Sequence, residues 1–181
     1  MNLKKLVLLG VLLVFTFTFL TGCMESYTSF IIHEDGTADV VFALIADKAM
    51  AGEESDVIAY GLRSSIIEMQ AEYTYKKEIR TIEYSDYVYH IFQSKNPVDI
   101  TNHEYITLIQ NDDSTYNFKM EIPRMVESVS EGSDSLMFTI DITLPREIDM
   151  ANTTNTDGRE AIWRIYKSDL TESLTLKAIT K

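Results

Sequence analysis

From Leu136 to Leu144 the chain alternates without a break, with Leu136, Phe138, Ile140, Ile142 and Leu144 on one side and Met137, Thr139, Asp141 and Thr143 on the other. A period of two brings apolar residues to one face only in a β-strand, so this stretch predicts a strand with a buried and a wet face. Tyr116, Phe118, Met120 and Ile122 against Asn117, Lys119 and Glu121 repeat the pattern. Pro145 then falls at a strand end, where a missing N–H is tolerated.

Around these anchors the sequence predicts further strands. Tyr27 to His33 and Thr37 to Ile45 flank Asp35-Gly36, which supplies the positive φ of a tight hairpin. Lys77 to Tyr84 and Tyr87 to Gln93 flank a turn expected at Ser85-Asp86, and Tyr105 to Gln110 pairs with 116–122 across Asn111-Asp112-Asp113-Ser114. Val98 to His103 reads as a short helical turn, Met125 to Ser135 as a polar loop or weak helix, and Asn152 to Gly158 as a turn-rich link. Glu160 to Tyr166, holding the only tryptophan, Trp163, and Ser173 to Ile179 close the chain as strands.

One segment breaks the period of two. Ile58, Leu62, Ile66, Met69 and Tyr73 recur at spacings of three and four, a stripe about 80° wide on a helix that begins near Glu53-Glu54-Ser55-Asp56, with Ser55 as a cap. The fold class is therefore α+β: a mostly antiparallel sheet of about seven or eight strands packed with one main amphipathic helix.

The N-terminus follows a different logic. Lys4 and Lys5 precede an apolar run from Leu6 to Leu20, shorter than the roughly twenty residues that span a bilayer, and Leu20-Thr21-Gly22-Cys23 has the form of a bacterial lipobox. Residues 1–22 are then a lipoprotein signal peptide and residues 23–181 a single extracytoplasmic domain. Proteins carrying this signal receive a diacylglyceryl group on the cysteine thiol, here Cys23, are cut between Gly22 and Cys23, and can gain a further palmitate-type acyl chain. Met24, Glu25 and Ser26 alone would separate the lipid from the first strand. Leu176 to Lys181 carries no second apolar span.

Acidic residues outnumber basic ones, 28 to 16, for a net charge of −12, and the leader holds two of the lysines and no acid. So negative a domain disfavours nucleic acid and other polyanions as partners. With the one cysteine taken by lipid, no thiol is left for a disulfide, a redox pair or a thiolate metal site.

Taken in order, the lipobox, the Asp35-Gly36 hairpin, the amphipathic helix, the meander, the strand ending at Pro145, the link with Asn152 and Asn155, and Trp163 resemble the LppM-like lipoprotein domain of Gram-positive and mycobacterial envelopes. Arg146 stands where that family usually has glycine. The resemblance implies an antiparallel sheet with helix cover and, from the type member, an association with envelope glycolipids.

No sequence signature of catalysis is found. His33, His90 and His103 lie apart, and no nucleophile elbow, phosphate loop or paired Cys-x-x-Cys occurs. His33 beside Glu34, the acids Glu53, Glu54 and Asp56, and the pair Asp112 and Asp113 have carboxylate or imidazole ligands for a metal, but turn and helix-start chemistry already explains them, and no loop has the spacing of a calcium hand. The expectation is a non-enzymatic protein with no cofactor and no metal. Tyr73, Tyr75, Tyr84, Tyr87 and Tyr89 crowd residues 73–89, either as the wall of an amphipathic groove or as ordinary cross-strand pairs. The sequence thus suggests a membrane-anchored envelope lipoprotein that binds a lipid or glycolipid in an apolar pocket lined by Ile58, Leu62, Ile66, Met69, Tyr73, Tyr87, Tyr89 and Trp163. The alternative is a structural or adaptor lipoprotein that contacts another envelope protein.

Overall fold

The structure, a computed structural model, describes residues 24–68, 72–101, 105–129 and 134–181, with only the backbone of 64–68. The leader, Gly22, Cys23, Met69, His103 and the side chain of Ile66 lie outside the described residues. The described residues form twelve strands and one α-helix: β1 (Met24–Ile32), β2 (Thr37–Asp47), α1 (Lys48–Glu68), β3 (Tyr73–Ile82), β4 (Ser85–Ser94), β5 (Val98–Asp99), β6 (Ile106–Gln110), β7 (Tyr116–Ile122), β8 (Leu136–Thr143), β9 (Ile148–Ala151), β10 (Asn155–Asp157), β11 (Glu160–Tyr166) and β12 (Leu174–Thr180), with a 3-10 turn, η1 (Lys167–Thr171). Hydrogen bonding orders one sheet β10-β11-β8-β1-β2-β4-β3, with β5 paired onto β2, and a second sheet β6-β7-β12-β9. The α+β class holds. The strands beyond the expected seven or eight include β5, β9 and β10, each only two to four residues long and too short to show a period.

The chain divides into two compact units. The first takes in residues 24–27 and Val41–Asn96, the second Thr28–Val40 and Pro97–Lys181.

In the first unit α1 covers one face of β2, β4 and β3. Phe42, Leu44, Ala46 and Phe92 on that face meet Ala51, Ala59 and Leu62 of the helix and Met24 of β1 in one core, with Ile58, Tyr73 and Tyr75 packed against it. Alanines at the contact let helix and sheet approach closely, and each large apolar side chain buried there is worth about 1.5–3 kcal/mol. The helix starts at Lys48, ahead of the expected Glu53, because Asp47 caps it: its Oδ1 accepts from the N–H of Ala49 at 2.9 Å and of Met50 at 3.1 Å. Ser55 is no cap. It is fully buried in the helix, which bends at Ala51 (φ −141°, ψ 15°). Tyr73 is not helical either, since it opens β3 opposite Ser94. The β3–β4 turn falls at Glu83-Tyr84, two residues before the expected Ser85-Asp86, with Ile82 paired to Ser85.

The described residues of the second unit are mostly β, with η1 between β11 and β12. Tyr116, Phe118, Met120 and Ile122 are buried as their alternation requires. On β8 the supposedly wet face is half closed, with Met137 at 3% and Asp141 at 8% exposure, because β8 is an interior strand with β11 and β1 as neighbours. Val98-Asp99 is a strand on Thr37 and Ala38 rather than a helical turn, and the link after Asn152 pairs as β10 with Asp157 opposite Glu160. Gly36 sits at φ +79°, where a Cβ would run into the side chain of Thr101.

Candidate functional site

The helix–sheet contact of the first unit holds a polar cluster that the sequence does not announce. His90, on the helix-facing side of β4, is 0% exposed, as is Ser55 of α1. The Ser55 hydroxyl donates to the carbonyl of Gly52 at 2.7 Å, so toward His90 Nε2, 3.1 Å away, its oxygen accepts. The imidazole proton is thereby placed on Nε2, and Nδ1 accepts from the Tyr75 hydroxyl at 2.9 Å. Tyr75 stacks on the same imidazole, with ring centroids 6.2 Å apart, and carries the Arg63 guanidinium 4.5 Å from its own centroid. Asp56 Oδ1 lies 3.6 Å from His90 Nε2 and is held by Lys77 Nζ. Burial keeps His90 below the usual imidazole value; Asp56 opposes this and Lys77 adds to it.

Serine, histidine and aspartate meet here, but not as a nucleophilic triad. Ser55 and Asp56 approach the same nitrogen, whereas a triad places the carboxylate on the other one. Both ring nitrogens are occupied and the hydroxyl is sealed from solvent, so the cluster fastens α1 to β3 and β4. Two buried residues contributed by different elements, separated by 35 positions, leave no trace in a local pattern.

The second unit has a cleft of ≈ 450 Å³ among its described residues, lined by Ala151, Asn152, Thr153, Thr154, Trp163, Arg164, Ile165, Asp169, Leu174 and Leu176. Trp163, Ile165 and Leu176 are the buried apolar part of this wall, while Asn152, Thr154, Arg164 and Asp169 are exposed. Asn152 ties the wall together. Its Oδ1 accepts from the Trp163 indole at 3.0 Å and from the N–H of Lys177 at 2.7 Å, and its Nδ2 donates to the carbonyl of Thr175 at 2.6 Å. The Trp163 ring packs on Phe118 at 6.5 Å. Asn152 and Trp163 thus have a structural reason to occur together.

Of the eight pocket residues read from the sequence, the six whose side chains are described do not line one site. Ile58, Leu62 and Tyr73 belong to the core under α1, where burial pushes the Tyr73 phenol up. Tyr87 and Tyr89 alternate with the helix-facing Val88 and His90, so they point from the other face of the sheet, and Tyr89 packs under the Arg80 guanidinium at 4.4 Å. Trp163 belongs to the second unit and alone of the eight lines its cleft.

The acidic candidates are also engaged. Asp113 accepts from the N–H and hydroxyl of Thr115, and His33 pairs with Asp39 at 3.2 Å rather than with Glu34. A carboxyl pair on β8 and β11 has no signature in local sequence pattern. There the Asp141 charge, with some burial and a hydrogen bond to Asp141, pushes Glu160 up.

A helix-backed antiparallel sheet joined in one chain to a mostly β unit defines the class of this fold. No family model and no curated protein sequence matches the chain. Among solved structures it is similar to the folded domain of LppM from Mycobacterium tuberculosis, determined by NMR, at 12% sequence identity and a TM-score of 0.47, over 90% of this chain and 92% of that one.

Proposed function

We propose that the chain is an envelope lipoprotein, fixed to the extracytoplasmic face of the cell membrane through diacylglyceryl-Cys23, and that it acts by binding rather than by catalysis. The lipobox supports the anchor. The start of the fold agrees with a short tether, since β1 begins at Met24 itself and the expected three-residue spacer is taken up by the strand. Sealing of Ser55 and His90 supports a non-enzymatic role.

The binding site is the cleft of the second unit. Its volume falls within the ordinary range of ligand pockets, and its exposed Asn152, Thr154, Arg164 and Asp169 beside apolar Trp163, Ile165 and Leu176 suit a ligand with polar and apolar parts, such as the head region of a lipid or glycolipid. Native mass spectrometry of the domain purified from its bacterium tests this. A co-purifying lipid that is lost on Thr154→Trp, which fills the cleft mouth, is the expected result; an empty wild-type domain overturns it.

An adaptor role rests on a separate observation. β3 is a ten-residue strand that, among the described residues, stands at the edge of its sheet next to β4 alone, an arrangement that suits pairing with another protein's strand. In-cell crosslinking from Thr74 would recover one specific envelope protein if this reading holds, and none if it fails.

A further inference from the structure

The β3–β4 turn is built against its own backbone preferences. Glu83 (φ +57°) and Tyr84 (φ +135°) both adopt positive φ, where hairpins ordinarily place Asn or Gly, and Tyr84 at the tip is 105% exposed. Strain in a turn that holds a large aromatic ring fully in water has no packing return. Ile82 beside it is 46% exposed, and Met50, in the first turn of α1, is 71% exposed.

These three side chains lie at one end of the first unit. Asp47, which caps α1, pairs with Tyr87 near the start of β4, and Lys48 bonds Asp86 at 3.1 Å, so the helix start stands next to the turn. Met24 shares the core of the first unit with Ala46 and Ala51, and the hairpin closed between His33 and Thr37 brings the start of β1 back to the end of β2, at this same end. The chain therefore enters the fold here, one residue after Cys23. Among the described residues at the opposite end of β3 and β4, the N–H of Lys95 and the side chain of Asn96 both bond to Glu72, and all three residues are polar.

We propose that Met50, Ile82 and Tyr84 form a membrane-docking end that enters the headgroup layer of the bilayer holding Cys23, fixing the orientation of the first unit. The inference rests on the anchoring proposed above. A lipid attached one residue away leaves no length of chain by which this end could stand off the surface. Tyrosine suits the site because its ring is apolar and its hydroxyl wet, the combination enriched at membrane interfaces. Asp47, Glu83 and Asp86 against Lys48 give the end no excess of positive charge, so the matching surface is zwitterionic rather than anionic.

The test couples the chain beginning at Cys23, through its thiol, to a maleimide lipid in phosphatidylcholine vesicles, and compares amide exchange with the same chain capped by N-ethylmaleimide in solution. Exchange should slow several-fold at residues 82–85 and 48–50 and stay unchanged at 94–96. The M50S/Y84S double variant, whose substitutions are both on the surface, should return to solution rates with its core protection intact. Equal rates at 82–85 on and off the vesicle, protection at 94–96 instead, or protection that survives in M50S/Y84S would each overturn the docking end. Because the tether is chemical, these outcomes leave biological acylation of Cys23 untouched; failure of that acylation would show separately, in the mature N-terminus.

Discussion

The two units differ in how they seal polar groups. The first buries a histidine under a helix and satisfies both ring nitrogens with side chains from α1 and β3. The second fastens its strands through one carboxamide, Asn152, which takes the indole N–H of Trp163 and two backbone groups of β12. The landmarks visible in the sequence belong to the second arrangement. A rare residue type in a family pattern here marks a fastening, and the exposed aromatic surface that calls for a function lies in the other unit, on residues that no motif singles out.

The comparison breaks hardest at Trp163. Trp163→Ala removes a buried indole and one of the three hydrogen bonds of Asn152, and should cost about 3–5 kcal/mol by urea unfolding, with β11 and β12 losing amide protection before α1 does. If α1 loses protection together with them, the units do not hold their stability separately. Leu62→Ala is the matching test in the first unit, at about 2–4 kcal/mol, with the reverse order of loss. Gly36→Ala forces a positive φ on alanine and a collision with Thr101, for about 1–2 kcal/mol, read in the same assay.

Acid should separate the units further. His90 is held below its unfolded value of about 6.5, so the unfolded chain binds its proton first. The stability of the neutral ring is present above that value and is lost as pH falls through the folded one. Protection of α1 should therefore decline on acidification, and His90→Gln should flatten the decline. Glu160 gives the opposite sign and the smallest effect. Its folded value is raised beside Asp141, so its contribution is present below the usual glutamate range and is lost as pH rises through the raised value. Glu160→Gln should stabilise the second unit near neutral pH by a few tenths of a kcal/mol, since the group is largely open to solvent.

What the sequence disclosed was what local pattern encodes. The alternation of β7 and the strand around Trp163 stand as read, as does the Asp35-Gly36 hairpin. The Glu83-Tyr84 turn was illegible because neither residue type signals positive φ. The helix start was displaced because Asp47 both ends a strand and caps a helix, while the acids at Glu53 to Asp56 look like a first turn. Tyr73 continued a helical spacing by coincidence beyond the helix end at Glu68. The candidate pocket was not legible for a deeper reason: apolar stripes and tyrosine clusters reveal burial but not which unit or sheet face receives them.

Everything functional turns on the anchor, and the mass of the N-terminal peptide from the membrane-extracted protein measures it directly. The account predicts a peptide beginning at Cys23 and heavier by a diacylglyceryl group, with or without a further acyl chain. A peptide that retains the leader, or one that begins at Cys23 with an unmodified thiol, would contradict it.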